Sequence, residues 1–225
     1  MKPSKLVAEA KLPDGSLLSL REHDGHHTLR VDGELLMTTR ATASETAMAD
    51  SALAGPALGK ARKILIGGLG FGYTLRRVLE LSTPETKVVV AELIPQVVEW
   101  NRQHLQALHG PLLDDPRVEV VLDDVRTVLE REGRMAWDAI LLDTDNGASA
   151  MVDRRNKQLY SDDGLKAVHK ALKPGGRAVY WSATRDEEFQ ARLREVGFLV
   201  EASGVKAWAD AKRASHTLYV ADRKR

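Results

Sequence analysis

The chain has 225 residues, 43% of them hydrophobic and 29% charged, and its 33 Lys and Arg nearly cancel 32 Asp and Glu to leave a formal charge of +1. That balance describes a globular chain of one domain with room for a small appendage, and it does not point to nucleic acid as a dedicated partner. The absence of cysteine excludes disulfide frameworks, thiolate metal centres and cysteine nucleophiles together.

The first forty residues carry three Asp-Gly pairs, Asp14-Gly15, Asp24-Gly25 and Asp32-Gly33, each a hairpin-turn signal because both residue types tolerate positive φ. Short strands around Leu17 to Leu20, Thr28 to Val31 and Leu35 to Thr38 would make a β-meander over residues 1–41. At Thr42 the pattern changes. Thr42 with Glu45 three residues on reads as a capping box, and Ala47, Met48, Ala49 and Leu53 suit a connecting helix within 42–60.

From Arg62 onward, apolar runs alternate with amphipathic stretches. The runs are Ile64 to Ile66, Val88 to Val90, Val118 to Leu122, Ala139 to Leu142 and Ala178 to Tyr180. Helices are expected at Thr74 to Leu81, Gln96 to Leu108, Val125 to Arg131, Leu159 to Leu172 and Asp186 to Val196, and a closing antiparallel hairpin at Phe198 to Val205 and Thr217 to Ala221. Nearly continuous apolar strands alternating with helices predict an α/β, doubly wound, mostly parallel sheet over 61–225. The longest apolar stretch, Ile64 to Tyr73, falls far short of the roughly 20 residues a membrane span needs. No signal-type apolar segment follows Met1-Lys2-Pro3-Ser4-Lys5, so a cytoplasmic protein with no membrane partner is expected.

Gly67-Gly68-Leu69-Gly70-Phe71-Gly72 follows the first buried strand and opens a helix, where a backbone must approach a nucleotide closely. Glu92 ends the next strand, placed to accept ribose hydroxyls. From Gly68 the spacing is G-x-G-x-G, and the last glycine of a dinucleotide fingerprint would fall on Tyr73, which argues against NAD. Asp143 follows Ile140-Leu141-Leu142 at the carboxyl end of a strand, the edge where such sheets bind ligands. A carboxylate there can orient an attacking amine and take its proton. A calcium loop starting at Asp143 is excluded because Gly147 falls at position five and Arg154 stands at position twelve, so no metal is expected.

The glycine spacing resembles that of class I S-adenosylmethionine-dependent transferases, and further motifs resemble their spermidine synthase-like branch. These are Val31-Asp32-Gly33, Thr74-Leu75-Arg76-Arg77-Val78-Leu79, Asp115-Pro116-Arg117-Val118 leading to Asp124-Val125-Arg126, Asp143-Thr144-Asp145, Leu159-Tyr160-Ser161 and Leu172-Lys173-Pro174-Gly175-Gly176. The resemblance implies a seven-stranded Rossmann-like methyltransferase sheet. It implies that Gly68, Gly70 and Gly72 line the methionine-derived part of the cofactor, Glu92 holds the ribose, Asp124 accepts from the adenine amino group, Val125 flanks the ring and Asp143 is catalytic. Asp124 also reads as a helix N-cap. Asp145 with Asn146 would complete a polar rim, and Trp181 would wall the acceptor pocket or pack in the core. His216 is the weakest candidate, and His169 reads as a surface residue.

Three departures from the family pattern bear on the reaction. The aspartate usual within the glycine loop is replaced by Leu69, Gly70 and Phe71; the Tyr-His pair near the domain junction is replaced by Ala43-Ser44-Glu45; and the D-S-S-D loop is shortened to Asp143-Thr144-Asp145. Two anions about 4 Å apart in a half-dry site repel by several kcal/mol, so a loop without its aspartate would tolerate the carboxylate of ordinary S-adenosylmethionine. The expectation is therefore methyl transfer from S-adenosylmethionine to a small amine-like substrate. Aminopropyl transfer from decarboxylated S-adenosylmethionine is the alternative, and a non-catalytic nucleotide- or RNA-binding module is the alternative of another class. A homodimer is compatible with the sequence.

Overall fold

The computed structural model describes residues 4–55, 62–144, 157–208 and 210–225. Four antiparallel strands come first: β1 (Lys5–Lys11), β2 (Leu17–His23), β3 (His26–Val31) and β4 (Glu34–Thr38), ordered β1-β2-β3-β4. Two of the Asp-Gly pairs make two-residue turns. His23 faces His26 across Asp24-Gly25 and Val31 faces Glu34 across Asp32-Gly33, with φ between 49° and 87° at all four turn residues. These positive values match the strand twist that a hairpin needs. β1 was not anticipated: its alanines and charges give a weak apolar alternation, and it is an edge strand with no buried residue.

Helix α1 (Ala43–Ala52) follows. The sequence-predicted capping box does not form. The Thr42 side chain makes no cap bond; the Ala43 N–H donates instead to the Ala207 carbonyl at 3.0 Å, and the Glu45 carboxylate accepts from the Ser44 hydroxyl at 3.0 Å. The start of the helix is thus tied to a distant loop and not to a bond between Thr42 and Glu45.

The main sheet contains β5 (Lys63–Gly67), β6 (Lys87–Ala91), β7 (Val118–Val121), β8 (Trp137–Leu142), β9 (Leu172–Ser182), β10 (Phe198–Val205) and β11 (His216–Arg223), ordered β10-β11-β9-β8-β5-β6-β7. β5 to β9 pair in parallel, and β11 runs antiparallel to both β9 and β10. Side chains alternate between two buried faces. Ile64, Ile66, Val88, Val90, Ala139 and Leu141 join one core, while Leu65, Val89, Ala91, Ile140 and Leu142 join the other. The first face is covered by α1, α2 (Tyr73–Leu81), α3 (Pro95–Gln103) and the meander, through Met48, Leu75, Val97 and Leu20. The second is covered by α5 (Val125–Glu132), α6 (Asp162–Ala171) and α7 (Glu187–Val196), through Val128, Leu165 and Leu193. This double burial is why the strands read as unbroken apolar runs.

The single helix expected over Gln96 to Leu108 is divided. α3 ends at Gln103, where the His104 and Leu105 N–H groups both reach the Trp100 carbonyl, and a short α4 (Gln106–His109) runs to Gly110, with φ of 70°, and Pro111. Strand β9 begins earlier than expected. Leu172 pairs with Trp137, the Lys173-Pro174-Gly175-Gly176 turn bulges out, and pairing resumes between Arg177 and Ala139. The strand order reverses between β5 and β8, so the carboxyl ends of β5, β6 and β8 open onto a crevice at that switch point.

Candidate active site

A cavity of about 360 Å³ occupies this crevice. That is in the range of small-ligand sites. Strand ends supply Gly68, Glu92, Asp123 and Asp143; the meander supplies Leu35, Leu36 and Met37; α1 supplies Glu45; β9 and β11 supply Trp181 and His216; and the connection between β10 and β11 supplies Trp208.

Glu92 is buried, 7% exposed, one residue beyond β6. Its two carboxylate oxygens accept from the Leu69 N–H at 2.9 Å and the Ile94 N–H at 2.8 Å, so it fixes the glycine loop to the end of the neighbouring strand. Burial raises its carboxyl above the usual carboxylate value, against the opposing pull of these N–H groups. Each oxygen keeps lone-pair capacity for a ligand hydroxyl.

The loop glycines have different tasks. Gly68 has φ of 91°, and a Cβ there would stand 2.9 Å from the Asp143 carbonyl oxygen, so glycine lets the loop lie against the end of β8. Gly70 has φ of 52° and faces Met37, whose sulfur would be 3.3 Å from a Cβ. Its carbonyl accepts from the Asn101 side-chain amide at 2.8 Å. Both glycines line the cavity. Gly72 does not: it precedes α2 with φ of 84°, and its neighbours are Leu112, Asn101 and His109 on the loop's other side.

Asp124 lines the cavity together with Val125 and also caps α5, accepting from the Arg126 N–H at 2.8 Å. Asp123, which the sequence did not single out, accepts from the Asp124 N–H at 2.7 Å and lines the same wall. Asp143 is half-buried, its N–H donating to the Gly67 carbonyl at 3.1 Å, with Thr144 beside it. Asp145 and Asn146 lie outside the described residues.

Trp181 is 6% exposed and at once part of the core and of the cavity wall, its ring 4.8 Å from that of His216. The pairing of Trp181 with Leu218 sets β11 beside β9, which brings His216 to the site despite its distance in sequence. Burial lowers the His216 imidazole below its ordinary value. Trp208, 52% exposed, stands at the mouth.

Among the described residues the lining holds five carboxylates, Glu45, Glu92, Asp123, Asp124 and Asp143, and no lysine or arginine. Such a cavity favours a cationic ligand and disfavours an anionic one. No group of three or more His, Asp and Glu side chains suited to a metal occurs among the described residues. Two hydroxyls that line the cavity, those of Thr74 and Thr144, are buried without a hydrogen-bond partner among the described residues, which fits a ligand with polar groups of its own.

A seven-stranded sheet in this order, with its cavity over the glycine loop, is the class I S-adenosylmethionine-dependent methyltransferase-like fold. Within it, the spermine/spermidine synthase domain model matches residues 46–193, and the chain belongs to that family. It is similar to the polyamine aminopropyltransferase of Aeropyrum pernix, with 35% identity over 156 residues, 66% of this chain and 48% of the relative. Polyamine aminopropyltransferase 2 of Pseudomonas aeruginosa is 35% identical over 119 residues, 51% of this chain and 32% of the relative. The chain thus spans half or less of the length of these curated relatives. The crystal structure of spermidine synthase from Thermotoga maritima superposes with a TM-score of 0.74 at 20% identity, covering 98% of this chain and 73% of that one. No helix among the described residues is long and apolar enough to cross a membrane.

Proposed function

We propose that the protein is an aminopropyltransferase that uses decarboxylated S-adenosylmethionine as donor and a small amine as acceptor. The observation that carries this reading is the cavity's charge: five carboxylates and no lysine or arginine among the described residues. Considered alone, the glycine loop tolerates a donor carboxylate. The assembled cavity adds Glu45 and Asp143, which the loop sequence does not reveal, and a donor carboxylate placed among them would meet like charge without a compensating cation. The decarboxylated donor carries only positive charge, on its sulfonium and its ammonium. Family membership supports the same choice over methyl transfer.

In this reading Glu92 holds the ribose hydroxyls and Asp123 and Asp124 flank the adenine end. Asp143 orients the acceptor amine, whose nitrogen lone pair attacks the methylene carbon beside the sulfonium. The carbon–sulfur bond breaks, its electron pair stays on sulfur to give the neutral thioether, and the surplus proton of the new secondary amine passes to the Asp143 carboxylate or to water. Trp181 and His216 wall the acceptor side.

The test is product identity. Incubated with both donors and a panel of putrescine, spermidine and monoamines, the protein should release methylthioadenosine from the decarboxylated donor. Release of S-adenosylhomocysteine from ordinary S-adenosylmethionine would replace this reading with methyl transfer.

A further inference from the structure

Of the five carboxylates in the cavity, four have evident tasks at the strand ends. Glu92 takes two backbone N–H groups, Asp124 caps α5, Asp123 takes the Asp124 N–H, and Asp143, whose backbone carbonyl lies against Gly68, is the orienting carboxylate of the reading above. Glu45 is different. It comes from α1, which packs against α2, and it is half-buried in the cavity wall with the Ser44 hydroxyl donating to it. Its spacing from Thr42 suits a capping box, yet the helix start is held by the Ala43–Ala207 bond and the carboxylate turns to the cavity.

Glu45 lines the cavity together with Tyr73 and Thr74 of the first turn of α2, the helix on which α1 packs. Its charge also raises the Tyr73 phenol above its usual value, second to burial. The next residue, Thr74, is 4% exposed, lines the same cavity and has a hydroxyl with no hydrogen-bond partner among the described residues. A half-buried carboxylate and an orphaned hydroxyl, on two helices packed together beside the glycine loop, form an anionic acceptor pair. A primary ammonium satisfies both, because its three N–H donors can serve a carboxylate and a hydroxyl together.

We infer that Glu45, assisted by the Thr74 hydroxyl, binds the primary ammonium of the donor's aminopropyl tail, and so selects the decarboxylated donor from a position outside the glycine loop. The inference rests on the aminopropyl reading given above. It assigns the tail to the α1–α2 side of the loop and leaves the wall formed by Asp143, Trp181 and His216 for the acceptor.

Calorimetric titration without acceptor separates the tail from the adenosyl part, because methylthioadenosine has the adenosyl thioether and no ammonium. Glu45→Gln should bind decarboxylated S-adenosylmethionine about 10- to 100-fold more weakly than the wild type, and Thr74→Val about 3- to 10-fold more weakly. Both variants should bind methylthioadenosine within about twofold of the wild type, a result that a merely structural role for either residue would not give. Equal losses for the two ligands, or an unchanged affinity for the decarboxylated donor with a raised KM for the acceptor, would overturn the assignment while leaving the aminopropyl reading in place. A wild type that prefers the carboxylated donor would remove that reading itself, independently of either variant.

Discussion

The Leu69 N–H points into the Glu92 carboxylate at 2.9 Å, joining the middle of the glycine loop to the end of the adjacent strand. Ile94 N–H occupies the other oxygen at 2.8 Å, so one side chain sets both the loop's position and the start of the chain toward α3. The acidic residue after β6 is therefore an organiser of the loop, in addition to the ribose role proposed for it.

This double duty sharpens the expectation for Glu92→Gln. An amide has one acceptor oxygen, so its NH2 must face either the Leu69 or the Ile94 N–H, and the loop loses a bond whichever way it turns. Affinity for methylthioadenosine, which has the ribose, should fall by about 1 to 3 kcal/mol in a calorimetric titration. Unchanged affinity would remove Glu92 from the ligand site. This outcome contrasts with Glu45→Gln, which should leave methylthioadenosine binding nearly untouched.

The glycine loop makes a second expectation specific. Gly70 has φ of 52°, which a β-branched residue adopts only under strain, and its missing Cβ faces the Met37 sulfur. Gly70→Val should lower unfolding free energy by about 1 to 3 kcal/mol and abolish binding of methylthioadenosine. Far-ultraviolet circular dichroism at 25 °C should still show the native signal. If the variant bound the ligand normally, the loop would be a turn without a binding role. Met37→Ala in the same background should recover part of the lost stability, because the added methyls then meet open space in place of sulfur.

How much of this was legible in the sequence depended on the range of the interaction. Asp24-Gly25 and Asp32-Gly33 specify their turns locally through positive φ, and the apolar triplets Ile64 to Ile66 and Val88 to Val90 announce a sheet buried on both faces. Glu92 and Asp143 are legible as strand ends whose distance from the glycine loop can be counted, Asp124 only through the resemblance of Asp124-Val125-Arg126 to the family motif, and all three line the cavity. Glu45 was read as a capping residue because Thr42-x-x-Glu45 is a local pattern, and the Ala43–Ala207 bond that cancels it spans most of the chain. His216 and Trp208 reach the cavity only through the pairing of β11 with β9 and β10, which no local signal carries. Asp123 was hidden by its neighbour: the motif drew attention to Asp124, while the backbone at that corner turns both toward the cavity.

Glu45 also yields an expectation for pH. Burial raises its carboxyl in the folded state above the ordinary carboxylate value, so the native protein holds that proton more tightly than the unfolded chain does. Below the unfolded value both states are protonated and there is no penalty. As pH rises through the folded value the charge must be carried in the cavity wall, and stability is lost. Without ligand, Glu45→Gln should therefore melt at a higher temperature than the wild type at pH 7.5. The difference should vanish near pH 4. A lower melting temperature for the variant at pH 7.5 would show that the carboxylate is stabilising in the empty cavity, against the direction burial sets.

The last expectation concerns Asp143, which follows β8, has its backbone carbonyl against Gly68, and is assigned to the acceptor side in the proposed reaction. A group that orients the acceptor and takes its proton acts chiefly in the transition state. Asp143→Asn keeps the shape and loses the charge, so turnover with the best amine of the panel should fall about 10²- to 10⁴-fold, with donor affinity changed by less than about threefold. The pH profile supplies the second readout. Loss of a proton-accepting carboxylate should make the variant's rate rise with pH more steeply than the wild type's, because only the already deprotonated fraction of the amine can then attack. Methylthioadenosine release, followed by chromatography under single-turnover conditions, measures both effects. Equal rates for variant and wild type would show that Asp143 is not the orienting carboxylate. A loss confined to donor affinity would move Asp143 from the acceptor side to the donor side, where its charge would add to that of Glu45 in excluding a carboxylated donor.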